Sequence, residues 1–308
     1  MFDLEDQRNS AGRPLLATIG VADVKIAEEA YCALLGYECV DAAPLSEAYS
    51  DLWESDEAAH RPARLLRPQS GAPVFIRLVE MDRGAASQSS ARAGWFALEI
   101  CVQDAAALHE TLCAHGYFTP FAPPKALPFS DMVFPFQCRG GNGELLYLNE
   151  TRGNLPELDL PLAASFVDHI FIVVLGASEI SRTTDFYTRL LEASVQERHE
   201  IPYKTINRVF DLPLDTLHKL HTLGAGRNVS LEIDQLPLQA DGQGQRPAIS
   251  SGICCVSFGV GGEEGQGEPW TEITDAPYCG RAVRHVRGPD GERVELVMMP
   301  AQAVTDQA

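Results

Sequence analysis

The chain has 308 residues, enough for two domains or one duplicated domain, and is 45% hydrophobic and 22% charged, as in a globular protein that buries a large core. Its 24 Lys and Arg against 43 Asp and Glu give a net charge of −19, which opposes binding to nucleic acid or to an anionic membrane surface. No apolar run approaches the ~20 residues of a membrane span. The start, Met1-Phe-Asp-Leu-Glu-Asp6, lacks the basic and apolar regions of a signal peptide. None of the eight cysteines falls in a C-x-x-C pair, and most lie in apolar segments, so they read as reduced core residues of a cytoplasmic protein.

In chain order, one plan recurs. Residues 15–21 read as a strand, and Asp23 as the cap of a helix ending near Leu35. Ala27, Ala30, Tyr31 and Leu34 give that helix one apolar face, and Gly36 supplies a left-handed stop. A strand over 73–79 closes the unit. The second unit repeats it: strand 95–102, cap Asp104, helix 105–115, stop Gly116, then strands 133–136 and 144–148. Residues 140–143, Gly-Gly-Asn-Gly, read as a hairpin turn and not a phosphate loop, because no Lys-Ser/Thr follows. The aromatic stretch 129–136 reads as core.

Residues 154–161, with two prolines and no periodicity, form a linker. The third unit opens at Phe166. Its helix spans 178–191 with Ile180, Phe186, Tyr187, Leu190 and Leu191 inward, and Glu192 stands where the glycine stop should be. After a long excursion comes strand 228–234, carrying Glu232. A connector at 243–247 leads to the fourth unit, which begins with strand 252–260. Its helix is lost, since 261–267 is too rich in glycine, at about 1 kcal/mol per helical position. Strands 281–286 and 292–298 close the chain.

Strand-opening Asp168-His169-Ile170, the helical Asp185-Phe-Tyr187 with Leu190-Leu191, Tyr31 with Leu34-Leu-Gly36, and Pro289-Asp-Gly-Glu-Arg-Val-Glu295 together resemble the vicinal oxygen chelate superfamily. That superfamily includes glyoxalase I, methylmalonyl-CoA epimerase, fosfomycin- and bleomycin-resistance proteins and extradiol dioxygenases. The resemblance covers roughly 15–150 and 165–299. It implies an α+β fold of tandem βαβββ modules paired into two cup-shaped half-barrel domains. Four modules resemble the layout of extradiol and hydroxyphenylpyruvate dioxygenases. The expected division is therefore a metal-free N-terminal pair over 1–155 and a C-terminal pair over 164–300 that holds the site.

The superfamily's ligand positions carry over to His169 and Glu232 in the third module and to Cys255 and Glu295 in the fourth. Relatives usually have histidine where Cys255 stands. In the N-terminal half the positions fall near Leu16, Ala97, Tyr147 and either Phe75 or Arg77, which form no plausible site. The implied cofactor is a divalent ion: Zn, Mn, Ni, Co or Fe(II). Apart from the resemblance, a carboxylate inside an apolar strand, as at Glu232 and Glu295, is costly unless it is paired, exposed or bound. A lone histidine or a cysteine beside Cys254 can equally be structural.

His199, Tyr203, Lys204 and Arg208 lie on the excursion that borders the cup in relatives. Glu232, His199 and Tyr203 are the candidates for acid–base work. His285 and Tyr278 are further candidates for lining the pocket. His218 and His221, three apart, read as a solvated or pocket-lining pair more readily than as a metal site.

Three readings stay open. One is a metal-dependent lyase or isomerase that acts on a small oxygenated substrate through an enolate-type intermediate. The second is an Fe(II) dioxygenase of the extradiol or hydroxyphenylpyruvate kind. The third is a metal-free binding or sequestering protein of the bleomycin-resistance type. The modules could pair within one chain or across a homodimer.

Overall fold

In this computed structural model the described residues are 12–81, 92–127, 130–156, 158–238, 249–261 and 269–299. Module one runs β1 (Pro14–Val21), α1 (Val24–Leu35), β2 (Tyr37–Asp41), α2 (Ala48–Leu52), β3 (Ala63–Pro68) and β4 (Phe75–Glu80). Module two runs β5 (Gly94–Val102), α3 (Ala105–His115), β6 (Thr119–Pro120), β7 (Val133–Arg139) and β8 (Leu145–Thr151). Module three runs β9 (Val167–Ala177), α4 (Ile180–Leu190), β10 (Ser194–Pro202), α5 (Lys204–Val209), β11 (Leu217–Ala225) and β12 (Asn228–Gln235). Module four runs β13 (Gly252–Val260), β14 (Thr271–Ile273), β15 (Arg281–Arg287) and β16 (Arg293–Met298). Phe129, the 243–247 connector and most of the glycine-rich 261–267 segment lie outside the described residues.

Local chemistry sets the helix ends. The Asp23 carboxylate accepts the amides of Lys25 and Ile26, and Asp104 accepts that of Ala107. Gly36 (φ 71°) and Gly116 (φ 76°) take the left-handed stop. In module three Glu179 is the cap, and Glu192 enters the left-handed region at φ 51° in place of glycine.

Within each module the first and last strands lie side by side in parallel: β1 with β4, β5 with β8, β9 with β12, β13 with β16. Two eight-stranded sheets result. Sheet A has the order β14-β15-β16-β13-β1-β4-β3-β2, and sheet B β10-β11-β12-β9-β5-β8-β7-β6. The seams between modules are antiparallel, β1 against β13 and β5 against β9. This corrects the expected pairing of consecutive modules. Module one joins module four, and module two joins module three.

Consecutive modules still meet, but back to back. The helices α1, α3 and α4 lie between the sheets in one core that includes Tyr31, Leu35, Leu108, Leu112, Tyr187 and Val256. Trp95 of sheet B packs 6.0 Å from Phe258 of sheet A, and its indole N–H donates to the Arg293 carbonyl at 2.7 Å. The two hairpin turns act as latches in this layer. Glu144 accepts the hydroxyl of Tyr31 at 3.1 Å and the amide of Asn142 at 3.0 Å, while Asn142 accepts the Ala22 amide at 2.9 Å. In the same way Glu292 accepts Tyr187 at 2.9 Å and the Asp290 amide at 2.9 Å, and Asp290 accepts the Ser178 amide at 3.1 Å. Each latch needs a glycine at its base. A Cβ on Gly140 or Gly288 would fall 2.1 or 1.9 Å from the glutamate's Oε1.

The sheet faces turned away from α1, α3 and α4 form the cups, which α2 and α5 help to fill. Leu16, Tyr49, Trp53, Phe75, Tyr278 and Val297 fill that of sheet A. Phe96, Ala97, Tyr147, Val174, Ile206 and Leu236 line that of sheet B.

Candidate functional site

Each cup holds one glutamate at the same place in its module. Glu295 on β16 stands beside Ser257 of β13, and Glu232 on β12 beside Val174 of β9. Each is met by a tyrosine: Tyr278 donates to Glu295, and Tyr203 donates to Glu232 at 3.0 Å. The two sites differ in what else reaches the carboxylate.

In the cup of sheet A the carboxylate is saturated. Glu295 is fully buried and also accepts the Trp53 indole N–H at 2.7 Å and the Ser257 hydroxyl at 2.6 Å. Arg77 of β4 lies 4.9 Å from the Tyr49 ring and 5.3 Å from the Tyr278 ring, close enough for cation–π attraction. Cys255 lies two residue pairs along from Ser257 and Glu295, opposite Arg293. Burial, then the charge of Glu295, pushes its thiol well above the ordinary range, so it stays protonated. His285 is neutral: burial, then Arg293, lowers it to about 4.

In the cup of sheet B the carboxylates outnumber their donors. Glu232, Asp234 two residues on, and Glu99 of β5 share the inner face. Glu99 accepts the Asn149 amide at 2.7 Å. Among the described residues no other side chain or backbone group donates to Asp234, and the Tyr147 and Thr222 hydroxyls have no partner. Burial raises all three carboxyls, and the charge of Glu232 further opposes ionisation of Glu99 and Asp234. Glu232 is held at about 7: burial raises it, while the Tyr203 hydroxyl and the charge of His199 pull it back. Asp234, pushed well up by burial and then by Glu232 and Glu99, can share its retained proton with Glu232. His199 sits at the exposed rim, 2.8 Å from Glu197.

The four residues assigned as metal ligands are therefore not one site. His169 and Glu232 belong to sheet B, Cys255 and Glu295 to sheet A. Even within sheet B, Glu232 stands beside Val174, five residues past His169, or roughly 17 Å along the strand. The cause is the module pairing, which sends the third and fourth modules to different sheets. By contrast Glu232 and Tyr203 are in contact, and His199 is near enough to act on Glu232 by its charge.

His218 and His221 do not pair, since residues three apart on a strand face opposite ways. His218 lies 2.6 Å from Asn207 of α5, and His221 lies 2.8 Å from Thr184 of α4.

The partners that sequence reasoning missed are Glu99, Asp234, Trp53 and Cys101. Asp234 had a signal, two residues from Glu232 on one strand face. The others come from different strands or helices and had none. His169 Nδ1 lies 3.1 Å from Asp168 Oδ1 and 3.7 Å from the sulfur of Cys101. Among the described residues these three form the group of three or more His, Cys, Asp and Glu whose ligand atoms all lie within 4.8 Å of one another.

No protein-family profile matches the sequence, and no curated protein does. Solved structures do match. Glyoxalase I from Zea mays superposes with a TM-score of 0.58 at 14% identity, covering 93% of this chain and 92% of that one. A putative dioxygenase from Bacillus subtilis gives 0.59 at 13% identity, covering 95% and 87%. The chain has the vicinal oxygen chelate fold. At such identities the likeness is one of fold alone, and the chemistry rests on the residues of the two cups. Among the described residues no helix is long and apolar enough to cross a membrane.

Proposed function

We propose that this protein is a lyase or isomerase of the glyoxalase kind, which moves a proton on a small oxygenated substrate in the cup of sheet B. The observation that carries the reading is Glu232, buried, met by the Tyr203 hydroxyl at 3.0 Å and flanked by two further carboxyls. A carboxyl held near neutrality takes and returns protons with little driving-force penalty. In this reading Glu232 removes a proton from a carbon next to a carbonyl. Tyr203 fixes the orientation of the carboxylate, and Asp234 and Glu99 hold the proton load around it. His199 stands at the entrance, where it favours the ionised form of Glu232.

A divalent ion on His169, Glu232, Cys255 and Glu295 does not fit these residues, which lie on two sheets, and no step is routed through it. The dioxygenase alternative needs two histidines and a carboxylate facing one point, and among the described residues neither cup gathers them. The binding-protein reading has one specific observation in its favour: in the cup of sheet A, Glu295 is fully engaged by Trp53, Ser257 and Tyr278, which makes that cup structural.

The test is wash-in of deuterium from D2O into a panel of 2-hydroxy carbonyl compounds, followed by NMR. Wild-type protein should exchange at least one of them, and Glu232→Gln should lower the rate by about 100-fold or more. Compounds that bind without exchanging, or exchange equally in the variant, would leave the sequestering reading as the better account.

A further inference from the structure

The cluster Cys101–Asp168–His169 is not used by the proton-transfer reading and stands independently of it. Its geometry is not that of an ordinary strand. Asp168 and His169 are consecutive in β9, and consecutive strand residues normally point to opposite faces. Here both deliver a side chain to one point, because the β5–β9 ladder is irregular on either side of Ile100. Bulges of this kind re-aim side chains. Cys101, on β5, supplies the third group from across the seam.

The spacings fit a metal. With Zn–S of ~2.3 Å and Zn–N of ~2.0–2.1 Å, a tetrahedral site needs S···N near ~3.5 Å and N···O near ~3.3 Å. The observed separations are 3.7 Å from Cys101 Sγ to His169 Nδ1 and 3.1 Å from His169 Nδ1 to Asp168 Oδ1. Both contacts use the same ring nitrogen. The Cys101 sulfur also lies 3.4 Å from the His169 carbonyl oxygen, which holds the thiol against this residue. The carboxylate has the outer support of a ligand: Oδ1 accepts the Ser70 hydroxyl at 2.5 Å and Oδ2 accepts the Ala164 amide at 2.6 Å. Ser70 and Tyr37, whose hydroxyl donates to the Asp168 carbonyl at 2.7 Å, come from module one, so the point is clamped by both sheets. The Asp168 side chain is 2% exposed and that of His169 25%, which leaves one side open to water.

We propose that Cys101, Asp168 and His169 bind one borderline-soft divalent ion, zinc, with solvent as its fourth ligand. On binding, the Cys101 thiol and the His169 ring nitrogen give up their protons to solvent, and the ion takes both lone pairs. The site would pin the β5–β9 seam to module one.

The full chain carrying Cys113→Ser and Cys279→Ser, which removes the exposed thiols, is stripped with chelator and titrated with Co(II). The expected result is uptake of one equivalent with a sulfur-to-cobalt charge-transfer band, displaced by Zn(II). Cys101→Ser should abolish the band. His169→Gln, which keeps the thiol, should weaken Zn(II) binding at least about 100-fold, and Ser70→Ala, which keeps all three donors, about 10- to 100-fold. Uptake below one equivalent, a band that survives Cys101→Ser, or affinity unchanged in His169→Gln would each overturn the proposal and leave an ordinary Asp168–His169 ion pair beside a thiol.

Discussion

At the scale of single residues, the buried glutamates make an unusual contribution to stability. Glu144, in the first latch, is raised to about 7, chiefly by burial and against the pull of the Tyr31 and Asn142 hydrogen bonds. A carboxyl whose folded pKa lies above its unfolded value holds more protons in the folded state through the interval between the two. Stability therefore falls as pH rises from about 4.5 to about 7, and is level above that. The loss from this one group is on the order of 3–4 kcal/mol, at about 1.4 kcal/mol per pKa unit. Urea unfolding at pH 5 and pH 8 should show the protein less stable at pH 8. Glu144→Gln, which keeps an acceptor and cannot ionise, should narrow that gap. An unchanged gap would mean that Glu144 is not buried as described.

At the scale of elements, the latch turns are where sequence and packing meet. Gly140 and Gly288 lie under their glutamates, so that an added methyl must displace a carboxylate holding a tyrosine of the facing helix. Gly140→Ala should cost about 1–3 kcal/mol by overpacking, and should also remove the pH dependence that Glu144 contributes by pushing the carboxyl out. Gly71→Ala is the control: at φ 79° with open space around it, it should cost about 1–2 kcal/mol through backbone strain alone and leave the pH dependence intact. Thermal unfolding of both variants at two pH values separates the two mechanisms.

At the scale of the whole molecule, the sheets cross the halves of the chain. Sheet A needs β1 and β13, and sheet B needs β5 and β9, so each is completed only by strands from both sides of the linker. A fragment of residues 1–156 leaves β1 and β5 as long open edges, which invite association. Expressed alone it should elute as oligomer or aggregate. Co-expressed with residues 158–308 it should co-purify as a one-to-one complex. A monomeric, cooperatively folding N-terminal fragment would contradict this pairing.

What the sequence determined by itself is what depends on neighbours along the chain. Asp23 with Gly36, and Asp104 with Gly116, bound their helices by bonds that span only a few residues, and both helices were legible to the residue. The four modules and their fold were readable for the same reason, because strand, capped helix and turn recur locally. Glu232 could be singled out because a carboxylate in an apolar strand is costly wherever that strand goes, whereas Tyr203 was reached only through the resemblance, as a residue of the excursion that borders the cup. Which modules share a sheet is decided by edges and by the helix layer between them, so His169 and Glu295 part company although the chain suggested one site. Only the tertiary structure decided that Trp53 and Ser257 saturate Glu295, that Glu99 joins Glu232, and that a bulge turns Asp168 and His169 together onto Cys101. Those contacts join residues tens to hundreds of positions apart, and no local pattern carries them.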